Sequence, residues 1–196
     1  MTVRWTPAFH VCVCVTLLLA GCAAAPPLRF HTLMPPPESA TAAAPAAVPW
    51  QLAFVGLPVQ VDRPQLVLRN GDGSMAVLEQ ERWIAPLGDE LRAALTEGLS
   101  RRLGPPASAG AWDVGVDVQR FESVAGRLAR IDAAWSVRRG DAVLRCLTRI
   151  EEPVGAGTVA LAAGHREVVQ ALADGIADAA AALSAGRPAG CPPGRS

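Results

Sequence analysis

The chain has 196 residues, of which 51% are hydrophobic and 18% charged, and its 18 basic residues balance 18 acidic ones. That length provides for one domain with a real core, and the even charge excludes an electrostatic case for nucleic acid or for anionic headgroups. Every basic residue is an arginine and tyrosine is absent, which reads as genome composition and not as function.

The first element is an apolar run from Val11 to Ala20, preceded by Arg4 and followed by Gly21-Cys22. At ten residues it is too short for a bilayer span, which needs roughly 20. A charged start, a short apolar centre and a small-residue exit describe a secretory signal peptide over residues 1–21. Its exit, Leu19-Ala20-Gly21-Cys22, resembles the bacterial lipobox, in which cleavage precedes a cysteine that carries lipid on its sulfur. The resemblance implies cleavage between Gly21 and Cys22 and an anchor of several acyl chains, including palmitate. Such an anchor is effectively permanent, since each buried methylene contributes about 0.8 kcal/mol. Ala23 follows, not the aspartate that retains enterobacterial lipoproteins at the inner membrane. The implied address is therefore the outer membrane, with the domain facing the periplasm.

Residues 22–49 form an Ala/Pro-rich tether interrupted by Leu28-Arg-Phe-His-Thr-Leu33, a candidate short edge strand. If that island stays loose, the tether can span about 90 Å; if it docks on the domain, the reach falls below about 20 Å. The folded domain is expected over 50–185. Extended segments at 52–61 and 65–69 flank Asp62-Arg63-Pro64, and Asn70-Gly-Asp-Gly-Ser74 turns the chain into a strand at 75–81. Pro64 confines its neighbourhood to a strand edge or bulge.

A helix begins at Pro86, with Asp89 and Glu90 near its positive end, Arg101 and Arg102 near its negative end and Gly104-Pro105-Pro106 as its stop. Leu87, Leu91, Leu95 and Leu99 give it one apolar stripe. Alternation then predicts strands along Trp112–Gln119, Ala129–Val137 and Ala142–Glu151, the last two joined by an Arg139-Gly140-Asp141 turn. A final helix is expected over about His165–Ser184, and a disordered tail over 186–196. The expected fold is α/β of the α+β kind: a single mixed sheet of about six strands with two main helices, in the order βββαβββα.

Cys12 and Cys14 leave with the signal peptide and Cys22 is taken by lipid, so Cys146 and Cys191 remain. Cys146 shares the apolar face of its strand while Cys191 lies in a Gly/Pro-rich tail. A buried free thiol at Cys146 is the first reading and a bridge to Cys191 the alternative.

Catalysis finds no support in these residues. The domain's one histidine, His165, reads as an exposed helix-terminal side chain, and no G-x-S-x-G supplies a nucleophile. No His, Cys, Asp or Glu cluster has ligand spacing, so neither metal nor cofactor is implied. Gly155-Ala-Gly157-Thr158 lacks the Lys of a phosphate loop and reads as a turn.

Several stretches in order are similar to the ABC-type transport auxiliary lipoproteins of the PqiC type. They are the lipobox with "PPLRFHTL" behind it, "VGLPVQVDRPQLVLR" at 55–69, "ERWIAPLGDELRAALTEGLSRRL" at 81–103, "IDAAWSV" at 131–137 and "REVVQALADGIADAAAAL" at 166–183. The first of them departs from the family's often tyrosine-containing motif by reading Phe30-His31. The resemblance implies a non-enzymatic auxiliary subunit working with an MCE-domain protein and its permease in lipid transport between membranes, and it admits a homo-oligomer. Asp62, Arg63, Arg82 and Trp83 are the candidate residues, as a partner surface or, structurally, as an Asp/Arg pair fixing the Pro64 bend beside a tryptophan at the sheet–helix junction. Two other classes compete: a structural lipoprotein binding peptidoglycan or an envelope synthase, and a lipid-binding carrier whose small residues Ala177 and Ala179–Ala182 line a cavity.

Overall fold

The computed structural model describes residues 26–36 and 47–195, and these form seven strands and two helices. In chain order they are β1 (Arg29–His31), β2 (Trp50–Gly56), β3 (Gln65–Arg69), β4 (Met75–Trp83), α1 (Leu87–Leu103), β5 (Trp112–Val124), β6 (Leu128–Arg139), β7 (Ala142–Pro153) and α2 (Thr158–Ser184). Gly21 and Cys22 lie outside the described residues.

The strands build two sheets, β1-β4-β3 and β2-β5-β6-β7, which corrects the expectation of a single six-stranded one. β2 and β3 are close in sequence, but a turn in which Val61 and Asp62 both donate to the Pro58 carbonyl separates them. β2 then runs parallel to β5, while β3 and β4 close the antiparallel hairpin announced by Asn70–Ser74. The island at 28–33 docks: β1 lies parallel to β4, with Phe30 opposite Arg82.

Alternation holds where it is expected and breaks at one place. Trp112, Val114, Val116 and Val118 are buried, but a register shift between Val118 and Arg120 inserts Gln119, and from there Phe121 and Ser123 face inward. A bulge of this kind bends a strand and reverses which residues point to the core. Along β6, Ala129, Ile131, Ala133, Trp135 and Val137 are all buried, and Trp135 donates its indole N–H to Thr148 on β7 (2.9 Å).

Both helices lie on one face of the larger sheet, α2 across β6 and β7 and α1 against α2 and β2. The leucine stripe of α1, from Leu87 to Leu103, is buried as its spacing requires. α2 begins at Thr158 and not at His165, after Gly157 at φ 90°. Gly164 lies inside α2, and a Cβ there would come within 2.3 Å of Val154 Cγ1. It is glycine because helix and sheet meet at that point.

Cys146 and Cys191 form a disulfide, with their Cα atoms 5.4 Å apart, so the free-thiol reading is wrong. Strand parity buries Cys146 as expected, but the tail is not loose. Its residue Arg195 accepts from the Glu151 N–H and donates to the Arg149 carbonyl, so the tail expected to be disordered runs along the edge of β7.

Candidate functional site

Asp62, Arg63, Arg82 and Trp83 do not form one constellation. Asp62 is exposed, and its Oδ1 accepts from the Gly88 N–H (3.3 Å). It thus serves the first turn of α1, whose own cap residue, Pro86, offers no side-chain acceptor. Arg63 is exposed, and Arg82 is half-buried with its Nε donating to the Glu79 carbonyl (3.1 Å). No ion pair joins Asp62 to either arginine among the described residues. Trp83 is buried, edge-on to His31, Phe121 and His165 at 6.1–6.5 Å between ring centres. Asp62 and Trp83 therefore build the fold, while Arg63 and Arg82 reach the surface.

Two buried glutamates that sequence reasoning overlooked fasten the N-terminal segment. Glu81 on β4 meets His31 Nε2 (2.7 Å), Arg29 Nε (3.1 Å) and the Thr158 hydroxyl (3.0 Å). Burial pushes its carboxyl up, but the bonds from His31 and Thr158 and the charge of Arg29 outweigh this and hold its pKa below the ordinary glutamate value. Glu90 on α1 accepts from the Thr32 hydroxyl (2.7 Å) and the Leu33 N–H (2.8 Å). Both were visible as signals. Glu81 shares the inward parity of Trp83, and Glu90 stands three residues from Leu87 on the apolar stripe of α1. A carboxylate on an apolar face needs partners.

His165 is buried, which corrects its reading as an exposed terminal residue. α2 starts seven residues earlier than expected, so His165 lies within the helix and faces the sheet. Its ring stacks on Phe121 at 4.0 Å, and its Nε2 shares a 2.7 Å hydrogen bond with the Ser123 hydroxyl. Burial pushes its pKa down to about 3, so the ring is neutral. The pair has the elements of a nucleophile and base, but both members are buried, and among the described residues His165 Nδ1 has no hydrogen-bond partner to orient it. Among the described residues, no three His, Cys, Asp or Glu side chains come together to hold a metal ion.

A trough of about 790 Å³ lies on the outer face of the larger sheet. Register explains its shape. Gly115, Ser136 and Ala134 on the two central strands form a low floor, with Phe54 on β2 and Leu147 on β7 as exposed apolar walls. Asp113 and Arg138 close one end with a 3.0 Å ion pair. Beyond the other end the same face changes character, and Arg130, Asp132 and Glu151 form an ion network across β6 and β7. Sequence alternation identified this face as the polar one, and small central residues hid the trough. Among the described residues, no helix is long and apolar enough to cross a membrane.

Known proteins share this architecture. A crystal structure of an uncharacterized protein superposes with a TM-score of 0.63 at 15% identity, covering 78% of this chain and 98% of that one. Protein XCC0632 from Xanthomonas campestris, of the DUF330 family, gives a TM-score of 0.57 at 21% identity, covering 81% of this chain and 95% of that one. At these identities the likeness shows the fold alone. A search of curated proteins found no match. The model of one family, described as ABC-type transport auxiliary lipoprotein component, matches residues 31–177.

Proposed function

This chain belongs to the ABC-type transport auxiliary lipoprotein component family, and from that premise we propose that it is a non-enzymatic subunit of an MCE-domain lipid-transport system. It is anchored in the outer membrane through lipidated Cys22, with its domain facing the periplasm. The observation that carries this reading is the family match over residues 31–177, directly behind the Leu19-Ala20-Gly21-Cys22 motif. The burial of the Ser123–His165 pair adds support, because its side chains are withheld from the surface. In this role the domain contributes surfaces and position to the system of the MCE-domain protein and its permease.

The test is affinity purification of the tagged full-length chain from detergent-solubilised envelopes, together with an outer-membrane permeability assay on a deletion strain. Recovery of an MCE-domain protein with its permease, and raised permeability to a large antibiotic, are expected. Absence of both would overturn the proposal.

A further inference from the structure

The short stretch of chain between Cys22 and the latched strand β1 limits where the domain can sit. Six residues, 23–28, separate the two, and even fully extended they reach no more than about 22 Å. β1 cannot move away to lengthen the tether without breaking the Glu81 and Glu90 contacts described above. Whatever surface surrounds Leu28 is therefore held close to the bilayer that receives the lipid.

That surface is apolar. Leu28 is 48% exposed, Phe30 55% and Ile84 61%. Leu28 immediately precedes β1 and stands two residues before Phe30, so along an extended chain both fall on the same outer side. Phe30 lies opposite Arg82 in register, and the Ile84 N–H bonds the His31 carbonyl, which continues β4 alongside β1 and sets Ile84 on the same side as Arg82. Single exposed apolar residues are ordinary, but three on one face beside an anchor point are not. Arg82 stands among them half-buried, an aliphatic stem ending in a guanidinium, the kind of side chain that lies along an apolar boundary with its charge at the phosphates.

We infer that Leu28, Phe30 and Ile84 form a membrane-contact face that enters the interfacial region of the leaflet holding the Cys22 lipid, with Arg82 at the headgroups. The occupant of this face is the lipid surface itself, because the tether permits little else to intervene. The contact fixes the domain's orientation, so that the trough and the helices keep a constant angle to the membrane. The inference rests on Cys22 carrying lipid.

The natural tryptophans supply a clean background for a test. Trp50, Trp83, Trp112 and Trp135 are all buried, and Trp5 precedes the cleavage site. The mature lipoprotein carrying Phe30→Trp, or Leu28→Trp as a second reporter of the same face, is reconstituted into vesicles of phosphatidylethanolamine and phosphatidylglycerol with acyl chains brominated near the ester end. Leu147→Trp on the trough wall is the control. The reporter at position 30 or 28 is expected to lose roughly half its added fluorescence, because an interfacial apolar face reaches about 5–10 Å into the boundary, while the control keeps its own. If the protein floats with the vesicles but neither reporter is quenched, the contact face is overturned and the anchor stands. If it does not float, the Cys22 anchor fails and the contact face falls with it.

Discussion

Glu81 and His165 show how much of this fold hangs on single polar residues in apolar places. Glu81 ties together β1, β4 and the first residue of α2, three elements far apart in sequence, through one carboxylate. His165 does the opposite: it is kept neutral by burial and gives the protein a pH dependence of definite sign. Its folded pKa is depressed from 6.5 to about 3. Above pH 6.5 neither state protonates the ring. Below it, the unfolded chain takes up a proton that the folded protein refuses, so stability falls at up to about 1.4 kcal/mol per pH unit. Glu81, with its pKa lowered, keeps its contribution above the ordinary glutamate range and loses it only at lower pH. The window from 6.5 down to 5 thus belongs to His165. Urea unfolding should show native stability dropping by up to about 2 kcal/mol across it. Ser123→Ala combined with His165→Phe should flatten that slope, since removing both partners leaves no unpaired polar group. An unchanged slope in the double variant would refute the assignment.

Elements followed the sequence where one residue type dictated them and departed from it where packing intervened. The leucine stripe of α1 and the alternation of β6 needed nothing beyond period. β5 changed face at Gln119, and α2 gained seven residues at its start, because a bulge and a packed glycine leave no periodic trace. The crossing of the two helices depends on another such glycine. A Cβ on Gly98 would lie 2.6 Å from the Ala173 Cβ, and both belong to helices that cannot yield independently. Gly98→Ala gains about 1 kcal/mol of helix propensity, yet overpacking a tight contact costs about 1–3 kcal/mol. Packing should prevail, with a lower urea midpoint for the variant. A higher midpoint would mean that the helices separate at little cost.

At the level of the whole molecule, the described fold is fastened at both of its ends. The N-terminal segment is latched by Glu81 and Glu90, and the C-terminal tail is held to β7 by the Cys146–Cys191 bridge and the Arg195 backbone bonds. The bridge encloses α2, its cysteines standing 45 positions apart in sequence. Loops of that size are worth about 2–4 kcal/mol. Cys191→Ser should therefore lower stability by about that amount under oxidising conditions, and a reductant should bring the native protein down to the variant's level. If reductant and substitution both leave the melting temperature unchanged, the tail contributes nothing to stability.

Local pattern was sufficient for the hairpin at Asn70–Ser74, the apolar face of α1 and the strand parity that buries Cys146, because each depends on residues within one or two turns of one another. It was insufficient for the division into two sheets, the disulfide, and the burial of His165. Strand order is chosen by pairings between segments tens of residues apart, of which β2 with β5 is the decisive one. Likewise, Asp62 and Trp83 were marked by sequence as special, but whether they formed a surface or supported the fold depended on Gly88, Phe121 and His165, which only chain folding brings beside them.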